Sequence, residues 1–144
     1  MKNLIVLMAI LIPLVSFSQS NTDGQILRKC EIMPAFGECV DAPMEDIYRC
    51  SSMALMEYVG AETKYPETAL VSKTEGTIYL VFVVETDGSV NDVKVMRGIG
   101  DSEGAKALEE EALRVVKGLP NFRPGTEKGE AVRIEYILPV KFLL

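Results

Sequence analysis

The chain has 144 residues, 48% of them hydrophobic and 25% charged, with a formal charge of −6. The length sets one domain as the expectation, and the composition is that of a folded globule, not of a disordered tail. A net-negative chain argues against nucleic acid as a partner, because phosphate neutralisation needs a basic face. The chain has no histidine, which removes the Ser–His and Cys–His couples of nucleophilic catalysis. It also lacks a G-x-S-x-G elbow, so no enzyme activity and no cofactor are expected.

The N-terminus, MKNLIVLMAILIPLVSFSQS, sets Lys2 before an apolar run from Leu4 to Phe17. Small residues follow at Ser16 and Ser18, in the spacing of a signal-peptidase site. The run is shorter than the ~20 apolar residues a membrane-spanning helix needs, and Pro13 interrupts it. Residues 1–18 are therefore expected to be a cleaved signal peptide, so that the mature chain is exported.

Export makes the compartment oxidising, which favours a disulfide. Cys39 and Cys50 flank the polar loop CVDAPMEDIYRC and are the expected pair. Cys30 is left over, either as a free thiol or as a link between two molecules. With no histidine and no C-x-x-C spacing, a zinc site is not expected.

After the signal, residues 19–50 carry Pro34, Gly37 and Pro43 and read as a loosely packed, irregular arm. Residues 51–144 form the expected domain. SSMALMEYVGAET starts with a serine N-cap candidate and places Met53, Met56 and Tyr58 or Val59 on one helical face, as core contacts. Pro66 turns the chain and opens a short helix. In Thr77–Glu85 both faces are apolar, which predicts a central strand. Asp87-Gly88 supplies a tight hairpin turn, and Val93 and Val95 define the inner face of the return strand. RGIGDSEG reads as a flexible connection, because a phosphate cradle would need a glycine where Glu103 sits. Leu108, Ala112, Val115 and Leu119 then fall at helical spacing, with Gly118 and Pro120 ending the helix. Glu109, Glu110 and Glu111 are adjacent and cannot share one helical face, so they read as a solvated surface.

The last strand is AVRIEYILPVKF. Val132, Ile134, Tyr136, Leu138, Val140 and Phe142 share one face; Arg133, Glu135 and Lys141 share the other. Pro139 lacks an N–H, which predicts an edge strand. The order predicts an α+β fold: a helix, then ββαβ, with a three-stranded antiparallel sheet and helices on one face.

From Tyr65 to Phe142 the chain closely resembles the C-terminal domain of TonB-type energy transducers. The resemblance is carried by Tyr65-Pro66, EGTIYLVFVV from Glu75, DGSVNDVKV from Asp87, EEEALRVVKGLPNFRPG from Glu109 and the closing AVRIEYILPVKF, in that order and spacing. It implies a stand-alone, exported binding module whose partner is a TonB-dependent outer-membrane transporter or a similar envelope protein. The transporter's TonB box would add as a strand beside the last strand, on Val132, Arg133, Ile134, Glu135, Tyr136 and Ile137. Main-chain bonds would give affinity and alternate side chains selectivity. The chain departs from the full transducer in having no proline-rich linker and no membrane histidine. It also has Glu62-Thr63 where many members carry Gln-Pro. The other expectation open at this point is a structural module that forms a homodimer through its edge strand or Cys30.

Overall fold

The computed structural model describes residues 24–144; the expected signal peptide lies outside them. The elements are β1 (Ile26–Leu27), a 3-10 helix (Gly37–Asp41), α1 (Ile47–Glu62), α2 (Glu67–Val71), β2 (Gly76–Val84), β3 (Val90–Arg97), α3 (Glu103–Lys117), β4 (Gly125–Glu127) and β5 (Glu130–Phe142). Among the described residues no helix is long and apolar enough to cross a membrane.

The fold is α+β. The doubly apolar β2 lies in the middle of the sheet, whose order is β1-β5-β2-β3. It pairs antiparallel with β3 and, without a register shift, with β5 from Gly76↔Phe142 to Val84↔Ile134. The β2–β3 turn closes through a 2.8 Å bond from the Glu85 N–H to the Ser89 carbonyl. Asp87 accepts from both the backbone N–H and the hydroxyl of Ser89, and these bonds hold its carboxyl below the usual range. Gly88 takes φ +85°, and a Cβ there would strike the Phe122 carbonyl. Only glycine lets the hairpin tip meet the segment that leads into β4.

The strand alternation sends Ile78, Leu80, Phe82 and Val84 of β2 to the same face as Tyr136, Leu138, Val140 and Phe142 of β5. Leu55 and Val59 of α1, Ala69 of α2, and Leu108, Ala112, Val115 and Val116 of α3 meet them there. The helices therefore share one face of the sheet. Each large side chain fully buried in this layer contributes roughly 1.5–3 kcal/mol. Ser102 caps α3, its Oγ accepting from the Ala105 N–H at 3.1 Å. In the glutamate triplet, Glu111 holds Arg114 at 2.6 Å and accepts from the Lys64 N–H. That is a surface tether joining α3 to the end of α1.

Several expectations are corrected. The segment before Cys50 is not loosely packed. Ile32 and Ala35 form backbone bridges to Thr126 and Arg123. Phe36 is buried, its ring 5.0 Å from that of Phe122 and 5.8 Å from that of Tyr58. Cys39 and Cys50 are joined by a disulfide, which ties the 3-10 helix to α1. Helix α1 begins at Ile47, not at Ser51, and it buries Ile47, Ser51, Leu55 and Val59. The earlier start brings Ile47 into a stripe repeating every fourth residue, and that stripe faces the sheet. Met53 and Met56, expected in the core, are 66% and 56% exposed. Ser51 does not cap the helix; its buried Oγ accepts from the Phe36 N–H at 3.0 Å.

The sheet also has more strands than the three expected. Besides the antiparallel trio, β1 pairs parallel with β5 and β4 pairs antiparallel with it. Strand β5 is therefore not an edge along its whole length.

Candidate functional site

The six residues expected to form the docking strand divide into two groups. Val132 is paired with Gly125 of β4. Arg133 and Ile134 are paired with Ile26 and Leu27 of β1, while Ile134 also faces Val84 of β2. On the outer side, Arg133 and Ile134 are already covered by β1. Among the described residues, Glu135, Tyr136 and Ile137 have strand partners only on the β2 side, at Val83, Phe82 and Val81. The open edge begins here and runs on past the expected limit, to Phe142.

Pro139 fixes how the backbone faces along this edge. It is paired with Tyr79 in an unbroken ladder, yet it has no N–H to donate. Tyr79–Pro139 is therefore a non-hydrogen-bonded pair, and bonding alternates from it in both directions. The backbone groups of Leu138 and Val140 point to β2; those of Ile137, Pro139 and Lys141 point outward. Among the described residues these three have no strand partner on the outer side. The edge presents the N–H groups of Ile137 and Lys141 and the carbonyls of all three residues.

The side chains around the edge mix apolar groups, Met56 and Leu143 among them, with Thr63, Lys141, Arg28 and Glu135. Helix α1 runs in the same direction as β5: Tyr48 lies against Tyr136, ring centroids 5.9 Å apart, and the Ser52 and Tyr136 hydroxyls are 3.0 Å apart. Further along, Met56, Gly60 and Thr63 with Pro139, Lys141 and Leu143 line a groove of about 300 Å³. A smaller hollow of about 120 Å³ lies between Arg28, Met33, Tyr48, Glu135 and Ile137. Tyr48, Met56, Ile137 and Leu143 are all exposed. The outward stripe of α1, one step round from its buried stripe, thus overhangs the unpaired edge.

Charge at the closed half is built to hold β5 in register. Arg133 donates to both carboxylate oxygens of Glu85, at 2.7 and 3.0 Å, and through Nη1 to the Gly24 carbonyl at 3.0 Å. These bonds hold the Glu85 carboxyl below its usual range. Burial, in contrast, pushes the Tyr136 hydroxyl up. Cys30 is a free thiol whose pKa is raised by burial and then by the Glu127 carboxylate. Both effects disfavour the thiolate that an intermolecular disulfide needs. No group of three or more histidine, cysteine or acidic residues suited to a metal ion occurs among the described residues.

Residues 61–144 match the family model of the Gram-negative bacterial TonB protein C-terminal. The chain belongs to the TonB C-terminal family. Protein TonB of Helicobacter pylori strain ATCC 700392 / 26695 is 26% identical over 89 residues, covering 62% of this chain and 30% of that protein. The TonB of strain J99 is 25% identical over the same extent. The chain therefore covers 30% of the length of these curated TonB relatives. An NMR solution structure of the H. pylori TonB C-terminal domain aligns with a TM-score of 0.44 at 22% identity, covering 64% of this chain and 80% of that one. For the Pseudomonas aeruginosa TonB C-terminal domain the values are 0.40 and 20%, covering 57% and 78%. Within this TonB-like module, sequence reasoning missed three parts of the edge. The overhanging stripe of α1 was hidden by the wrong helical phase. The stretch beyond Ile137 was signalled by Pro139, which marks the middle of the open edge and not its end. Arg28 had no signal at all.

Proposed function

We propose that this chain is a periplasmic TonB-like module in transmembrane transport. It takes an extended peptide, the TonB box of a TonB-dependent outer-membrane transporter, as an added strand on β5. The observation that carries this reading is the unpartnered outward backbone of Ile137, Pro139 and Lys141 beside the apolar overhang of α1. An incoming strand bonds the N–H groups of Ile137 and Lys141. Its alternate side chains enter the groove beneath Met56 and Gly60, and the others stay in water. Backbone pairing supplies the affinity and the groove the selectivity. The docking stretch is thus Glu135–Phe142, shifted from the Val132–Ile137 read in the sequence.

The test is a titration of labelled TonB-box peptides against wild type and Ile137→Pro. Pro139 already occupies the same backbone phase two residues on, so proline at Ile137 keeps the β2 ladder and removes one outward N–H. One such bond is worth about 0.5–1.5 kcal/mol net, a weakening of roughly threefold to tenfold. Equal binding by both proteins, or no binding by folded wild type at millimolar peptide, contradicts strand addition at this edge.

A further inference from the structure

We propose that β1 is a latch that sets how long a ligand the docking edge accepts, an inference that rests on the strand-addition reading. Its two residues occupy β5 at Arg133 and Ile134, immediately before the open stretch. A ligand confined to Ile137–Lys141 leaves the latch in place. A longer one must displace it.

The arm is held unevenly. From Glu31 onward the attachment is firm: the Glu31 N–H bonds the Glu127 carboxylate at 2.7 Å and the Lys128 N–H bonds the Glu31 carboxylate at 3.1 Å, the Ile32 and Ala35 N–H groups bond Thr126 and Arg123 carbonyls at 3.0 Å, Thr126 and Arg123 return bonds at 2.8 Å, and Phe36 is buried. Ahead of it, β1 has only two ladder pairs, and they are parallel, the weaker arrangement per residue. Ile26 is 42% exposed. The remaining ties are the Arg133 bond to the Gly24 carbonyl and a 3.6 Å ion pair between Arg28 and Glu135. The Arg28 side chain is 83% exposed, and such surface pairs contribute little. A weakly held strand next to a firm anchor can swing away without loss of the core.

Release has a defined chemical consequence. Arg133 keeps its two bonds to Glu85, so β5 stays in register. Glu135 loses Arg28 and presents a carboxylate where the ligand arrives. A longer ligand is therefore favoured when it carries a basic residue opposite Glu135, in the place Arg28 leaves.

The experiment compares two peptides of one TonB-box segment on the full chain. One has roughly five residues, the span of Ile137–Lys141, and the other roughly nine, reaching Arg133 and carrying lysine opposite Glu135. Leu27→Pro removes a β1 N–H and cripples the latch; Arg28→Ala removes only the ion pair and keeps the backbone. Leu27→Pro should bind the longer peptide threefold to tenfold more tightly and the shorter one as wild type does, with Arg28→Ala moving the same way by less. In wild type the longer peptide should also speed hydrogen exchange at the Leu27 amide. If the shorter peptide binds but Leu27→Pro gives the longer one no advantage and its binding leaves Leu27 exchange unchanged, the latch is wrong while strand addition stands. If neither peptide binds any of the folded proteins, strand addition fails and the latch with it.

Discussion

The two halves of β5 carry the same alternation and end in different surroundings. Val132, Ile134, Tyr136, Leu138, Val140 and Phe142 are all buried on the helix-covered face. Among the described residues, the strand has neighbours from β1 and β4 as well as from β2 up to Ile134, and from Glu135 on it has β2 alone. Side-chain periodicity decides which face of a strand is buried, because successive residues point to opposite faces. It carries no information about the hydrogen-bonding edges, which lie at right angles to that alternation. Whether an edge is open depends on remote segments, here a dipeptide more than a hundred positions earlier in the chain.

Substitutions in the two halves should separate most widely in stability. Ile134→Ala, in the closed half and fully buried, should cost about 2–5 kcal/mol by leaving a cavity. Ile137→Ala, 45% exposed, should stay within about 0.5 kcal/mol. Urea unfolding of both variants checks this, and similar losses would mean that the open half is covered in solution. Next in size is the disulfide that fastens the arm flanking the closed half. Replacing Cys39 and Cys50 by serine should lower stability by about 3 kcal/mol in the chain-entropy model, read as a shift in the urea midpoint.

The acid limb sharpens the same contrast. The Glu85 carboxyl is lowered in the fold by its bonds to Arg133. Its contribution is therefore full above the unfolded pKa and is lost as pH falls through the folded value, below an ordinary value of 4.5. Glu85→Gln should flatten that acid-side loss. Stability measured from pH 6 to pH 3 checks it, and an unchanged acid limb would contradict it. Ile137→Pro should remain folded by circular dichroism while weakening peptide binding threefold to tenfold.

Much of the fold was legible because its signals are local. The doubly apolar run Thr77–Glu85 identified the central strand. Gly88 marked the hairpin, and Leu108, Ala112 and Val115 gave the correct phase of α3. The phase of α1 was not legible, because its buried stripe starts at Ile47, inside a segment whose pattern is broken by Pro34, Gly37 and Pro43. Leu55 and the buried Ser51 then face inward in place of Met53 and Met56. The family resemblance pointed to β5, and the structure moves the open stretch towards its C-terminal end. Pro139 held the key to that shift, but only pairing with Tyr79 turns a missing N–H into a statement of which neighbours face outward. Nothing local in Ile26-Leu27 announces a strand, since two residues have no period.

The central claim is that an extended peptide pairs with the outer edge of β5 beyond β1. Hydrogen exchange of the Ile137 and Lys141 amides, followed by NMR with and without saturating TonB-box peptide, tests it most directly. In the free protein both amides should exchange quickly while Leu138 and Val140 are protected by β2. Added peptide should slow Ile137 and Lys141 and leave Leu138 and Val140 as they were. Saturating peptide that leaves Ile137 and Lys141 unchanged, or that instead protects amides along β3, would contradict it.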